Sequence, residues 1–376
     1  MRAPYTHFRL IAYEVHTAAA ADNAAVISGW SPGTECPAIA RVPVPATVPD
    51  DARIRLKRLA SVVDLARNQV AAGGRTDNTN TLKIFLVPEF YFRPPASTGA
   101  GYTGNTYPLQ VNTQMLDALN QMFVAADFAD WLFVCGTVMW NTLADTLSGG
   151  ETLYFNTAIV VRGGRTDALH VVEKRVPSQI DGVPAPLAPQ KFGGPYAGPG
   201  YDPKVRLFLE RWSQRKRRIL RFDGIDFGVE VCLDHADHPS FRTLKRVLVD
   251  WRANEPVIPP AIPKLHLLAA GGMPVEPGSV AAKANGYILR NDGLHHARQP
   301  ATSQMFQVQS YTRPVLGFIP WAAGPGDASS TANLGPPIAP QYVPIPAGAQ
   351  QVPPPGAPYS PIPQQKLAFY PVTAMP

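Results

Sequence analysis

The segment that most constrains the fold is a β-hairpin that ends in a cysteine. Residues 219–231 carry apolar side chains at alternate positions on both sides of Asp223-Gly224, a dipeptide typical of two-residue hairpin turns. The pattern predicts two antiparallel strands. Cys232 follows directly, where the chain leaves the second strand and enters a polar turn. A cysteine in this position is either a small buried apolar residue or a thiol presented from a sheet edge, and the hairpin alone leaves both open.

Two further strand ends carry a charged residue. Residues 82–87 form an apolar run typical of a buried strand, and Glu89 follows Pro88 at its end. A carboxylate among aromatic neighbours needs a partner or a proton, so Glu89 is either part of a structural ion pair or a general base. Residues 169–173 predict another strand, which runs into Lys174 shortly before a proline.

Taken in this order, the three strand ends resemble the nitrilase superfamily, the carbon-nitrogen hydrolases. The matching pieces are residues 87–90 (VPEF), 174–177 (KRVP) and 231–234 (VCLD), and the flanking segments 131–140 and 153–158 also resemble strands of that family. The resemblance implies an α/β fold, a four-layer α-β-β-α sandwich with two sheets between helical layers. Periodicity alone predicts only a mixed α/β chain.

The resemblance also implies a Glu-Lys-Cys triad. Cys232 would be the nucleophile that forms a thioester, and Glu89 would be the base that accepts its proton. Lys174 and the backbone N–H of Leu233 would stabilise the oxyanion. An Ile-Asp-Gly segment stands where many members have Ile-Glu-Gly, one residue nearer to the lysine. Asp181 is therefore an auxiliary acid, or that role has been lost in this chain.

The implied reaction is hydrolysis of a non-peptide C–N bond in a small amide or carbamoyl compound. Cys-Leu-Asp resembles the amidase-like branch, whereas true nitrilases commonly have Trp-Glu after the cysteine. Hydrolysis of a nitrile substrate, transfer of the acyl group to an amine, and a noncatalytic assembly module remain as alternatives. No cofactor is expected. His235, Asp237 and His238 crowd one turn without a second ligand cluster, so no metal is expected either.

Length and composition predict one large domain with appendages. We expect a hydrolase domain at residues 1–320 with insertions near 18–49 and 184–203, followed by a proline-rich C-terminal arm at 321–376. The arm contains 14 prolines and only two charged residues, together with several aromatic residues. Such a segment suits an extended arm that packs across the domain or a partner subunit, so a homodimer or higher homo-oligomer is expected.

Charge and cysteine content set the remaining expectations. The net charge of +6 includes a basic run at 215–218, interpreted as a solvated face because no nucleic-acid motif accompanies it. Three other acids, Glu151, Glu173 and Glu230, adjoin predicted strand ends or turns and are interpreted as solvated structural residues. The three separated cysteines predict reduced thiols, and no apolar run has the length of a membrane span. We therefore expect a cytoplasmic protein that binds neither nucleic acid nor membrane.

Periodicity places the other elements. Apolar spacing predicts helices at 51–72, 112–126 and 240–251 and another that begins within 278–286, and strands at 8–15, 264–270 and 287–290.

Overall fold

The computed structural model describes twelve segments of the chain. They are residues 5–17, 44–73, 80–94, 106–143, 152–166, 169–176, 218–237, 243–254, 261–293, 302–313, 323–346 and 365–376. The helices in these segments are α1 (Asp50–Ala72), α2 (Leu109–Met122) and α3 (Leu244–Asn254). None of these helices combines the length and apolar character needed to cross a membrane.

The strands of the described segments form two sheets. They are β1 (His7–Glu14), β2 (Thr81–Val87), β3 (Tyr107–Pro108), β4 (Trp131–Leu143), β5 (Thr152–Arg162), β6 (Leu169–Glu173), β7 (Ile219–Phe222), β8 (Ile225–Val231), β9 (Leu265–Ala270), β10 (Tyr287–Asp292), β11 (Thr302–Thr312), β12 (Thr331–Leu334), β13 (Gln341–Pro344), β14 (Lys366–Phe369) and β15 (Thr373–Ala374). One sheet has the order β13-β14-β1-β2-β4-β5-β6, with β15 beside β1 and β3 beside β4. The other has the order β12-β11-β10-β9-β8-β7.

The two sheets pack face to face, with helices on both outer sides. Alternate residues of β1 and β2 point into a core shared with β8, β9 and β10, as the period of two in a strand requires. The other residues of the same strands pack under α1 and α2. On the far side, α3 lies so close to β8 that a Cβ at Gly228 would come within 2.3 Å of the Leu244 side chain. The predicted four-layer α-β-β-α sandwich is confirmed.

The hairpin that predicted β7 and β8 has the expected turn. Asp223 and Gly224 have φ values of 49° and 78°, the left-handed conformation that this short turn requires. The helices predicted at 51–72, 112–126 and 240–251 correspond to α1, α2 and α3, with shifted ends.

The helix predicted to begin within 278–286 is wrong. A 3₁₀ turn at Pro277–Ser279 is followed by irregular backbone. The reason is that the N–H groups of this segment donate elsewhere: Ala281 N–H to the His266 ring and Lys283 N–H to the Pro263 carbonyl. These bonds tie the segment to β9 and its approach, in place of the bonds that would continue a helix.

The described parts of the C-terminal segment complete both sheets. β14 pairs antiparallel with β1, from Ile11 opposite Phe369 to Glu14 opposite Lys366, and β12 pairs with β11. Leu367 is fully buried in the core beneath α1 and α2. The domain boundary at residue 320 and an oligomeric role for the arm stay predictions. The insertion at 184–203, and the one near 18–49 up to residue 43, lie outside the described residues.

Replacing Leu367 by alanine should lower the free energy of unfolding by about 2–5 kcal/mol, because the change leaves a cavity in a closed core. Gln341→Ala, on the exposed neighbouring strand β13, is the matched control and should change it by less than about 0.5 kcal/mol. Urea denaturation of full-length protein measures both. Equal, small effects would show that β14 is not part of the cooperative core.

Candidate active site

The ends of β2, β6 and β8 present the three residues on which the resemblance rests. Glu89 lies two residues beyond β2, Lys174 one residue beyond β6, and Cys232 one residue beyond β8. Glu89 and Lys174 are fully buried, and Cys232 is 4% exposed. The Glu89 N–H donates to the Ala270 carbonyl at the end of β9, a bond that joins the two sheets at this point.

Glu89 and Lys174 form a buried ion pair. Lys174 Nζ donates to Glu89 Oε1 at 2.9 Å, and Asn156 Nδ2 donates to the same oxygen at 2.8 Å. The backbone carbonyl of Asn156 in turn accepts the Lys174 backbone N–H at 2.8 Å. Asn156 therefore holds both members of the pair, a role that sequence reasoning missed. The available signal was a polar residue in the middle of an apolar strand, where its side chain is fully buried.

The backbone around Glu89 is strained and firmly held. Phe90 has a φ of 63°, a conformation that a bulky side chain rarely adopts. Its N–H donates to Thr137 Oγ1 at 2.9 Å, in a bulged part of β4. A Cβ at Gly136 would lie 2.7 Å from the Pro88 carbonyl oxygen, so only glycine allows β4 to approach the turn this closely. Such strain persists where surrounding contacts determine the conformation.

Cys232 also has a left-handed backbone, with a φ of 43°, at the start of a 3₁₀ turn that runs to His235. Its Sγ donates to the Gly271 carbonyl at 3.7 Å. Burial and the neighbouring Glu89 carboxylate hold the pKa of the Cys232 thiol well above its ordinary value, although Lys174 acts in the opposite direction. The thiol is therefore protonated at neutral pH and needs a base as it attacks.

The two remaining predicted site residues have different outcomes. Leu233 follows Cys232 in the 3₁₀ turn and is partly buried beside the core between the sheets. Its predicted role as an oxyanion donor stays a prediction. Asp181 lies outside the described residues, so its role also stays a prediction.

Asp234 connects the turn after Cys232 with the chain after Lys174. Its Oδ1 accepts the backbone N–H groups of Arg175 at 2.8 Å and Val176 at 2.7 Å. Its Oδ2 accepts from the Arg218 guanidinium at 2.7 Å. Arg218 is 3% exposed, so the interpretation of the basic run as a solvated face is wrong at this residue. The rest of that run lies outside the described residues.

Glu230 is fully buried, so its interpretation as a solvated acid is wrong. His235 Nδ1 lies 2.7 Å and His266 Nε2 lies 2.9 Å from Glu230 Oε2, and Leu244 N–H at the start of α3 donates to Oε1. Burial alone would raise the pKa of Glu230, but the hydrogen bonds from the two histidines outweigh it and hold the pKa well below its ordinary value. Glu173 is buried too, contrary to its interpretation, and Glu151 lies outside the described residues.

The Glu230, His235 and His266 side chains are of the types that bind metal ions. The position of the proton on the His266 ring, however, disfavours a metal site. Ala281 N–H donates to His266 Nδ1 at 3.2 Å, which leaves the ring proton on Nε2. Burial lowers the pKa of His266, so the ring is neutral and its protonated Nε2 lies 2.9 Å from Glu230 Oε2. A metal ion would need the same nitrogen deprotonated.

Comparisons with known proteins gave structural matches only. No protein-family model matches the chain, and no curated protein matches it. Among solved structures, an amidase from Nesterenkonia sp. AN1, in a glutamate-to-glutamine variant with the acetamide moiety of fluoroacetamide on its active-site cysteine, matches with a TM-score of 0.39 and 11% identity over 100% of this chain and 93% of that chain. A cysteine-to-serine variant of that amidase, described as from the nitrilase superfamily, matches with a TM-score of 0.32 and 14% identity over 80% and 84%. TM-scores this low decide neither fold nor function, which therefore depend on the packing and contacts described above.

Glu89→Gln should make Cys232 more reactive towards iodoacetamide at pH 7. The change removes the carboxylate charge that raises the thiol pKa and leaves Lys174, which lowers it. A fall of one pH unit in that pKa would raise the alkylation rate by about tenfold, because the thiolate is the reacting form. Mass spectrometry of each cysteine peptide measures the rate, and Cys135, buried in the outer core, is the internal control. An unchanged Cys232 rate would contradict the electrostatic account.

Glu230→Gln should lower the free energy of unfolding at pH 7 by about 3 kcal/mol, because it breaks a buried charged network. A folded-state pKa below the unfolded value gives stability that is present above about pH 4 and is lost as the pH falls further. The difference from wild type should therefore narrow in acid. Asp226→Asn, in the same strand but in a surface pair with Arg221, is the control and should cost less than about 1 kcal/mol. Urea denaturation from pH 7 down to pH 3.5 tests both points, and a gap that widened in acid would contradict the assignment.

Proposed function

We propose that this protein is a hydrolase of the nitrilase superfamily that cleaves a small amide or carbamoyl compound through a cysteine thioester. The observation that carries the proposal is the fully buried Glu89–Lys174 ion pair beside the buried thiol of Cys232, whose pKa the Glu89 carboxylate raises. Ionised groups are seldom buried in this way for stability alone, and shifted pKa values cluster at functional sites. The four-layer fold and the order of the three motifs also support it.

In the proposed first half-reaction, Cys232 Sγ attacks the substrate carbonyl carbon while Glu89 accepts the thiol proton. The carbonyl π electrons move to oxygen, and the oxyanion is stabilised by the Lys174 ammonium and the Leu233 N–H. The oxyanion then collapses, the C–N bond breaks, and Glu89 gives its proton to the leaving nitrogen. A thioester on Cys232 and a free amine or ammonia result.

The second half-reaction restores the enzyme. Glu89 accepts a proton from water as its oxygen attacks the thioester carbonyl, and a second oxyanion forms in the same place. Its collapse breaks the C–S bond, and Glu89 returns the proton to the sulfur. The acid product leaves, and no redox partner or cofactor takes part.

The alternative reactions differ either in the nucleophile that attacks the thioester or in the substrate group that Cys232 attacks. An amine that competes with water for the thioester would make the protein an acyltransferase, and a nitrile would react first as a thioimidate. The Cys-Leu-Asp sequence favours amides over nitriles. A noncatalytic module would have no need to keep an ionised carboxylate and a lysine buried together, since the desolvation of each costs several kcal/mol.

Wild-type protein should release ammonia from at least one member of a panel of simple amides, carbamoyl compounds and nitriles, and Cys232→Ala should abolish this release. Intact-mass analysis of quenched reactions should show a substrate-derived acyl group on the wild type only. Cys135→Ala is the matched control: Cys135 is equally buried, and burial raises its pKa, but it lies in the apolar core under the helices. That variant should retain its turnover.

Two results would count against the proposal. Near wild-type turnover by a folded Cys232→Ala protein would exclude a thioester route, and loss of turnover in Cys135→Ala at equal stability would mean that the wrong thiol was assigned. Product that forms only when an amine acceptor is added would favour the acyltransferase.

A further inference from the structure

Asp234 is a buried carboxylate in the turn that carries the proposed nucleophile, and it binds the chain segment that carries the proposed cation. It lies two residues after Cys232, within the same 3₁₀ turn, and is fully buried. It also accepts the two consecutive N–H groups that follow Lys174. β6 belongs to the nine-stranded sheet and β8 to the six-stranded sheet, so these bonds cross between sheets.

We propose that Asp234 is a positioning residue that fixes Lys174 against Cys232, so that the ammonium acts on the thiol and on the oxyanion formed there. The proposal rests on the proposed function for its catalytic meaning. The geometric link itself, between one turn and the end of β6, does not depend on any substrate.

The contacts leave Asp234 little freedom. Oδ1 accepts two backbone N–H groups within 2.8 Å, and Oδ2 accepts from Arg175 N–H at 3.0 Å and from Arg218 at 2.7 Å. Arg218 lies in turn 3.5 Å from Glu230, which also holds His235 at the other end of the turn. The carboxylate therefore has charge-assisted bonds on both oxygens, the kind that fix geometry most firmly.

Asparagine at position 234 would have nearly the same shape but different hydrogen bonding. It has one acceptor oxygen and an NH₂ donor, and the donor would face the N–H groups of Arg175 and Val176 or the Arg218 guanidinium. One of these contacts becomes repulsive. The end of β6 is then held less firmly to the turn, and Lys174, which keeps its bonds to Asn156 and Glu89, shifts relative to the thiol.

The test uses the pH dependence of Cys232 alkylation by iodoacetamide in the full-length protein. Among the residues that the structure describes, the charged groups that act on this thiol are Glu89, Lys174 and Arg290, and Arg290 is itself paired with Asp292. Since Lys174 lowers the thiol pKa, Asp234→Asn should raise the midpoint of the alkylation profile by about one pH unit. At a fixed pH below the midpoint, Cys232 should therefore react about tenfold more slowly.

A double-mutant cycle separates positioning from general loosening. Lys174→Met should produce a similar rise, and the double variant should rise no further than Lys174→Met alone, because Asp234 acts through the lysine. Asp51→Asn removes another buried carboxylate, one that Tyr107 contacts in the outer helical layer. It should lower the melting temperature and leave the thiol profile in place.

Each outcome decides the inference. An unshifted profile in folded Asp234→Asn, or additive shifts in the double variant, would overturn it. If Asp234→Asn does not fold, Arg218→Lys keeps the charge but shortens the reach to Asp234, and should give a smaller shift in the same direction. An unshifted profile in Arg218→Lys would also overturn the positioning role of Asp234. If the double-mutant cycle is non-additive as expected but the protein cleaves no amide or carbamoyl compound, the proposed function is refuted and the positioning role of Asp234 stands.

Discussion

The buried ion pair between Glu89 and Lys174 is the constraint on which the rest of the site depends. Moving each charge out of water costs several kcal/mol, and their attraction offsets this only with excellent geometry and further hydrogen bonds. The Asn156 side chain supplies one such bond to Glu89, and the Asn156 backbone carbonyl holds the Lys174 backbone in place. Asn291 of β10 joins the two sheets nearby. Its Nδ2 donates to the backbone carbonyls of Tyr13 in β1, 2.9 Å away, and Leu86 in β2, 2.6 Å away. Both members of the pair and Asn156 belong to the nine-stranded sheet, so the pair depends on the register of β2, β5 and β6, and Asn291 fixes β2 of that sheet against the other sheet.

The helical layer contributes to the site from behind the sheet. Arg55 in α1 donates to the Tyr91 carbonyl at 2.7 Å, and the Tyr91 hydroxyl donates to the Arg55 carbonyl at 3.1 Å. Burial raises the pKa of Tyr91 to about 12, so the hydroxyl remains a donor throughout the physiological range. Tyr91 lies two residues after Glu89, and this reciprocal bond fixes the strained turn against the helix. Core packing and site geometry are thus coupled through one residue pair.

The sequence predicted those features that depend on residues close together along the chain, and it failed for those that depend on residues far apart. The hairpin, the strand before Glu89 and the position of Cys232 are local patterns, and they were predicted. Arg218 and Glu230 were misread because a charge beside a strand end is usually solvated, and only partners distant in sequence make it buried. Strand β14 was missed because four residues among prolines carry no periodicity. One of its two partners, β1, lies at the other end of the chain.

The charges of the site suggest why a protonated thiol suits the proposed reaction. At rest the buried groups sum to zero, with Glu89 negative, Lys174 positive and Cys232 neutral. When the thiol attacks, its proton neutralises Glu89 as one negative charge appears on the substrate oxygen, so the sum stays zero. Among side chains this deeply buried, creating a net charge would be far more costly than moving one over a few ångströms. A thiolate formed in advance would add a second anion beside Glu89, and the raised pKa of Cys232 opposes that state. In the proposed reaction, the same electrostatics that make this cysteine a poor nucleophile at rest would make the transfer of its proton to Glu89 the step that activates it.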